Sequence, residues 1–206
     1  MFVNPYVIQK PEQWKGNFHA LFRDENTTAA QKLYLEIGMG KGKFITEIAS
    51  LFPQIHFIGI EKYSSVLIQA LKKQEKDRQD NLLFLRMDAR MLEDVFAEGE
   101  VDRIYLNFSD PWPKERHAGR RLTSSEFLTR YSHILKPGGT IEFKTDNRSL
   151  YDFSLEQAHG SGWKLLSRTT DLHADPVLSA GNIMTEYEER FTALGNPICK
   201  MVIERP

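Results

Sequence analysis

The chain of 206 residues holds a single cysteine, Cys199, so no intrachain disulfide can staple it and a reducing cytosol suits it. No apolar run approaches the length of a membrane span, and the N-terminus lacks the layout of a secretory signal, so a cytoplasmic location with no membrane partner is expected. Net charge is −1, which excludes a uniformly basic coat; any polyanion must be met by a local patch. The six histidines are scattered and stand outside metal-ligand spacing with cysteine or with each other, so no metal is expected. There is no repeat, low-complexity tract or Gly/Ser linker to divide the chain, and a single domain over residues 1–206 is expected.

What is present is an alternation of strand and helix patterns. Trp14, Phe18, Leu21 and Phe22 recur at helical spacing and suggest a short amphipathic opening helix. Residues 33–37 read as a buried strand running into Gly38-Met39-Gly40-Lys41-Gly42. Phe44, Ile45, Ile48, Ala49 and Phe52 then mark one face of a helix that Pro53 ends. Strands follow at 55–60, 82–87, 104–108 and 140–144. The intervening helices carry Val66, Leu67, Ala70 and Leu71, and then Phe127, Leu128, Tyr131 and Leu135. Such an order gives a mostly parallel α/β sheet with helices on both faces. The tail differs. After a helix over 150–158, residues 163–168 and 198–204 read as two strands, an antiparallel finish to the sheet. Between them, Thr185-Glu186-Tyr187-Glu188 carries the capping-box spacing of a helix start, and that helix should stop near Gly195.

Acids stand at or just past the carboxyl ends of these strands: Glu61, Asp88, Asp110 and Asp146, with Glu36 near the end of the first. In an open α/β sheet ligands bind at that rim, where strand order reverses. One acid alone is as readily a turn or cap residue; the shared placement of several is what points to a site. The Gly-x-Gly-x-Gly turn lets backbone approach a ligand closely, and Glu61 follows at the distance at which such folds place an acid on ribose hydroxyls. Together they indicate an adenosine-type cofactor, either a nicotinamide dinucleotide or S-adenosylmethionine. A dehydrogenase would need further substrate-binding sequence, and none remains. Next, Asn107-Phe108-Ser109-Asp110-Pro111-Trp112-Pro113-Lys114 puts a carboxylate in a proline-stiffened turn beside an aromatic ring. Arg116, His117, Arg120 and Arg121 follow, four Lys/Arg against the single acid Glu115 over residues 114–121. That combination fits a nucleobase pocket flanked by phosphate contacts, the bland alternative being an edge turn with a solvated basic loop. Trp112 can be a stacking wall for a base or an anchor of its own turn.

Leu35-Glu36-Ile37-Gly38-x-Gly40-Lys41-Gly42, Gly59-Ile60-Glu61-Lys62, the Asn107 to Lys114 block, Arg116-His117-x-x-Arg120-Arg121-Leu122, Phe143-Lys144-Thr145-Asp146-Asn147 and Met184-Thr185-Glu186-Tyr187-Glu188 occur in the order and spacing of one family. With them the chain resembles the bacterial tRNA (guanine-N7-)-methyltransferases from about Pro5 to its C-terminus. The long Asp-Pro-Trp-Pro-Lys block is far more specific than the glycine turn.

The resemblance implies a Rossmann-like class I fold with a seven-stranded sheet whose last strand is antiparallel. It implies an S-adenosylmethionine-dependent enzyme acting on N7 of a guanine in the variable loop of tRNA. By matching position, Glu36, Gly38, Gly40, Glu61, Asp88 and Asp110 would hold the cofactor, and Asp110 would also be the catalytic residue. Lys114, Asp146, Thr185, Glu186, Tyr187 and Glu188 would contact the substrate, and Arg116, His117, Arg120 and Arg121 the RNA. Two departures stand out. Family members begin with an Arg/Lys-rich leader, whereas this chain starts beyond it; either a tRNA-binding segment lies outside the chain or its role falls on residues 114–121. Met39 sits where the family's turn has a smaller residue. Other readings are a methyltransferase acting on an exocyclic amine of a base, a nicotinamide-dependent oxidoreductase and a non-catalytic RNA-binding module with a vestigial pocket. Monomer and homodimer are left open.

Overall fold

Seven strands form one sheet in the computed structural model, which describes residues 4–22 and 31–206. They are β1 (Leu33–Ile37), β2 (His56–Glu61), β3 (Leu82–Arg86), β4 (Val101–Asn107), β5 (Leu135–Thr145), β6 (Lys164–Thr169) and β7 (Cys199–Glu204), in the order β3-β2-β1-β4-β5-β7-β6. β1 to β5 pair in parallel, and β7 inserts antiparallel between β5 and β6. Every residue of β1 and β2 is buried, as strands covered on both faces must be; this is why they read as unbroken apolar runs rather than alternations. The order reverses between β1 and β4, so the chain leaves these neighbours toward opposite faces and a crevice opens at their carboxyl ends.

Two apolar layers sandwich the sheet. On one face α1 (Lys43–Leu51) and α2 (Ser64–Lys76) bury Phe44, Ile45, Ile48, Leu67 and Ala70 against Tyr34, Phe57 and Tyr105. On the other, α3 (Leu92–Val95), α4 (Ser125–Ile134) and α5 (Arg148–Gly160) bury Leu92, Val95, Phe127, Tyr131, Leu150 and Tyr151. Each fully buried apolar side chain of this kind contributes roughly 1.5–3 kcal/mol relative to exposure. The last helix, α6 (Glu186–Thr192), begins where the Thr185 box placed it, with Thr185 Oγ1 accepting from the Glu188 amide at 2.9 Å. No helix among the described residues is long and apolar enough to cross a membrane.

The opening segment departs from its periodicity. Instead of one helix it forms two 3-10 turns, Pro11–Trp14 and Phe18–Leu21, separated by Gly16 at φ 81°. The Glu100 carboxylate accepts from the amides of Gly16 at 3.0 Å and Phe18 at 3.2 Å, while Phe18 stacks on Phe96 at 4.7 Å. Tertiary acceptors and a ring contact thus replace the i→i−4 ladder that the spacing suggests.

Candidate active site

The crevice between β1 and β4 holds a cleft of about 370 Å³ lined by Glu36, Gly38 to Lys41, Lys43 and Phe44 on one side. Asn107 and Phe108 of the β4 end, and Thr185, Glu186, Tyr187 and Arg190 of α6 and its cap, complete it. The glycine turn is built as its sequence requires. Gly38, Gly40 and Gly42 have φ of 74°, 57° and 75°, a region that L side chains rarely adopt. At Gly42 a Cβ would also lie 2.7 Å from Ala70 Cβ. Met39 is buried with its Sδ against Gly59, where a Cβ on Gly59 would come within 2.3 Å. A glycine in β2 therefore accommodates the bulky turn residue.

Glu36 is 1% exposed. Its Oε1 accepts from Asn107 Nδ2 at 2.8 Å, while among the described residues no well-formed hydrogen bond reaches its buried Oε2 or Asn107 Oδ1. Burial is the chief reason its carboxyl is pushed up to about 8; the Asn107 bond, the nearby Lys144 ammonium and a weak contact with the Ile45 amide only partly oppose it. Asp88, three strands' width from β4, is the converse. Partial burial would raise its pKa, but the Arg90 amide, Lys62 and the Arg90 guanidinium hold it down at about 2. Lys62 Nζ donates to Asp88 Oδ2 at 2.9 Å and the Arg90 amide to Oδ1 at 3.0 Å. Between them Glu61 accepts from the Gly40 amide at 3.1 Å and the Tyr63 amide at 3.0 Å, which ties the glycine turn to the end of β2.

Past β4 the chain turns sharply. Phe108 and Trp112 have φ of 52° and 41°, and no glycine relieves either. Asp110 lies between them, exposed, and among the described residues no hydrogen bond or ion pair holds it. Arg121 fixes the turn, donating through Nε to Pro111 O at 3.0 Å and through Nη2 to Trp112 O at 3.1 Å. Its guanidinium also lies 4.3 Å from the Phe153 ring centroid. Arg120 Cζ stands 5.0 Å over the half-buried Trp112 ring, and His117 meets that ring edge-on at 5.7 Å. Lys114 and Arg116 are exposed at the start of the 3-10 turn Glu115–Arg120.

α6 closes the third side. Tyr187 packs on Phe108 at 5.0 Å, stacks on Phe191 at 4.1 Å and donates to Asp146 Oδ2 at 3.1 Å. Lys41 and Lys73 pair with Glu186, and Lys43 with Glu189. The structure thus gathers Glu36, Gly38, Gly40, Thr185, Glu186 and Tyr187 around one cleft. Asp146 joins it through Tyr187, and Glu61 through Gly40. Asp88, Asp110, Lys114, Arg116, His117, Arg120 and Arg121 lie outside its lining, the last six on the turn next to it. Glu188, grouped with the substrate contacts by sequence, is buried inside the protein instead of facing the cleft. Asn107, Phe108, Phe44 and Arg190 are lining residues that the sequence did not single out as site residues. Asn107 was the findable one, a polar side chain at a buried strand end.

A family model described as "Putative methyltransferase" matches residues 30–201. The chain is 57% identical over 202 residues to the tRNA (guanine-N(7)-)-methyltransferase of Lachnoclostridium phytofermentans, covering 98% of this chain and 92% of that one. It is 45% identical over 198 residues to the enzyme of that name from Bacillus subtilis, covering 96% and 90%. Among solved structures, the 16S rRNA methyltransferase KamB superposes with a TM-score of 0.68 at 18% identity, over 93% of this chain and 94% of that one, a likeness of fold. Seven strands in this order, a glycine turn after β1 and an Asp-Pro-Trp turn after the neighbouring β4, and near-full-length identity lead to one assignment: the chain belongs to the bacterial tRNA (guanine-N(7)-)-methyltransferases.

Proposed function

We propose that this chain transfers a methyl group from S-adenosylmethionine to N7 of a guanine in the variable loop of tRNA, in the crevice between β1 and β4. One observation carries the reading beyond family membership. Two buried acceptor oxygens, Glu36 Oε2 and Asn107 Oδ1, have no well-formed hydrogen bond among the described residues, the Ile45 amide reaching Glu36 only weakly, and they sit beside a glycine turn. Orphaned acceptors in a buried site call for a ligand rich in N–H groups, and the ammonium of the methionine moiety is one. The cofactor therefore fits the residues present. Glu36 and Asn107 would hold its ammonium, Gly38 and Gly40 would allow its carboxylate close approach, Glu61 would take its ribose hydroxyls and Asp88 its adenine amino group. When bound, it supplies an electrophilic methyl on a sulfonium.

Guanine N7 carries a lone pair and no proton, so no general base is required at the attacked atom. The work of the protein is alignment and electrostatics. Asp110, unpaired on its strained turn, can accept from a guanine edge or favour the positive charge that appears on the purine. Thr185 and Tyr187 wall the other side, and Lys114, Arg116, His117 and Arg120 offer an electrostatic footing for phosphates. A tRNA substrate supports a cytoplasmic location. Incubation of unmodified tRNA with labelled S-adenosylmethionine, followed by digestion and nucleoside analysis, tests this. Label on 7-methylguanosine is expected; label on an exocyclic-amine product, or no turnover, overturns it.

A further inference from the structure

Lys144, near the carboxyl end of β5 toward the site, is a lysine with no exposed surface between parallel β4 and antiparallel β7. Burying an ammonium is tolerated only where every N–H finds an acceptor. All three do: Glu188 Oε2 at 2.6 Å, the Ile183 carbonyl at 2.8 Å and Asn182 Oδ1 at 3.1 Å. Glu188, equally buried, accepts through its other oxygen from Asn182 Nδ2 at 2.8 Å and lies 3.2 Å from His173 Nε2. Burial alone pulls the Lys144 pKa down and the carboxylate opposes it. A closed polar network thus joins one lysine of the sheet to residues 173, 182, 183 and 188, in the segment that carries α6.

The Thr185 box shows how far this network reshapes the helix start. In a full capping box the Glu at N3 reaches back to the N-cap amide. Here the Thr185 half forms, but the Glu188 carboxylate points into the protein toward Lys144. Two residues on, just past the end of β5, Asp146 accepts from Tyr187, whose ring packs on Phe108. α6 is therefore pinned at two points, and those pins set where Thr185 and Tyr187 stand relative to the β4 turn.

We propose that Lys144, with Glu188 as its buried counter-ion, is a positioning residue for the tRNA substrate: it fixes α6 so that Thr185 and Tyr187 form one wall of the guanine pocket. The assignment rests on the function proposed above. It also moves Glu188 from touching substrate to holding the residues that do.

The test compares Lys144→Met, Asn182→Ala and the double variant Lys144→Met/Glu188→Met with wild type. Melting temperature, S-adenosylhomocysteine affinity by calorimetry, and kcat and KM for unmodified tRNA are measured for each. Wild-type turnover to 7-methylguanosine reports separately on the proposed function. For Lys144→Met the KM for tRNA should rise about tenfold or more, with cofactor-product affinity changed less than about threefold; Asn182→Ala should shift KM in the same direction by less. The double variant removes both buried charges, so its melting temperature should return toward wild type while the KM defect persists, because the bonds to residues 182 and 183 are still gone. Recovery of KM together with stability in the double variant would overturn the proposal, since an unpaired charge alone would then explain the defect. So would equal losses for tRNA and cofactor product, or a double variant that does not fold, either of which makes the pair purely structural.

Discussion

Glu36 and Asp88 occupy the same kind of place, an acid at the carboxyl end of a parallel strand, and the structure treats them in opposite ways. Glu36 is enclosed, with one oxygen bonded and the other orphaned, and its pKa lies near 8. Asp88 is partly open, held by the Arg90 amide and Lys62, and its pKa lies near 2. One carboxyl is neutral below that value and, with Lys144 acting only from a distance, has no cation bonded to it; the other is ionised and already has two. Burial decides between them: the interior withholds the water and counter-ions that an ionised carboxylate needs. A basic pair repeats the contrast. Arg121 is bonded to two carbonyls of the Asp-Pro-Trp turn, whereas its neighbour Arg120 is exposed above Trp112. Groups committed to the protein should register in stability when removed, and groups left open should register in ligand binding.

Glu36→Gln should break this contrast most strongly. For an acid whose folded pKa is raised from 4.5 to about 8, the associated stability is complete below pH 4.5 and is lost as pH rises to about 8. Gln keeps the acceptor for Asn107 and cannot ionise, so the variant should be more stable than wild type by on the order of 3 kcal/mol at pH 8, the gap closing toward pH 4.5. The same change should weaken binding of S-adenosylmethionine about a hundredfold, because a carboxyl can ionise when an ammonium arrives beside it and an amide cannot. Denaturant titrations across pH, with calorimetry, read both. A variant no more stable than wild type at pH 8 would mean that Glu36 is ionised and compensated in the folded protein.

Arg121→Ala should come next, at roughly 2 kcal/mol of stability, because it removes two hydrogen bonds to the turn and the contact with Phe153. Since that turn holds Trp112 at φ 41°, its relaxation should lower kcat as well. Asp88→Asn should cost less, roughly 1 kcal/mol, because the side chain is 27% exposed and its partner Lys62 is more open still. Here the sign reverses: with a folded pKa depressed from 3.8 to about 2, the contribution is present above pH 3.8 and lost as pH falls toward 2. Wild type and Asp88→Asn should therefore converge only as pH falls from 3.8 toward 2, below the pH 4.5 at which Glu36→Gln and wild type have already converged.

Much of this was legible in the sequence, because parallel strands covered on both faces leave unbroken apolar runs with acids where they surface. β1 to β3, α1, α2 and the Thr185 helix start all fall within a few residues of their patterns. What misled was tertiary. The opening segment has helical spacing, yet Glu100 captures its amides from 82 and 84 residues away. β5 begins at Leu135, ahead of Pro137 and Gly138, because the register with β4 shifts and lets the strand absorb what reads as a turn. α3 was not anticipated at all, since four residues are too few to show a period. At the site, the acids were visible as a set, but their division into open and committed members was not. Nor was Lys144, whose surroundings come from residues up to 44 positions later in the chain.

Arg120→Ala probes the far end of the basic contrast, where the smallest change in stability is expected. The guanidinium lies over the Trp112 ring and is exposed, so a cation–π contact is its main tie to the fold. Contacts of that kind at exposed sites contribute about 0.5–1 kcal/mol, and the melting temperature should move by no more than a few degrees. Binding should respond differently. If the guanidinium meets a phosphate, its removal should lower tRNA affinity and reduce the slope of log affinity against log salt by about 1, whatever the tRNA sequence. Arg121→Ala should leave that slope nearly unchanged, because its N–H groups face the carbonyls of Pro111 and Trp112. Should the two variants shift the salt slope equally, the division between the turn-holding and the RNA-facing arginine would be wrong, and the Asp-Pro-Trp turn would have to open when tRNA binds.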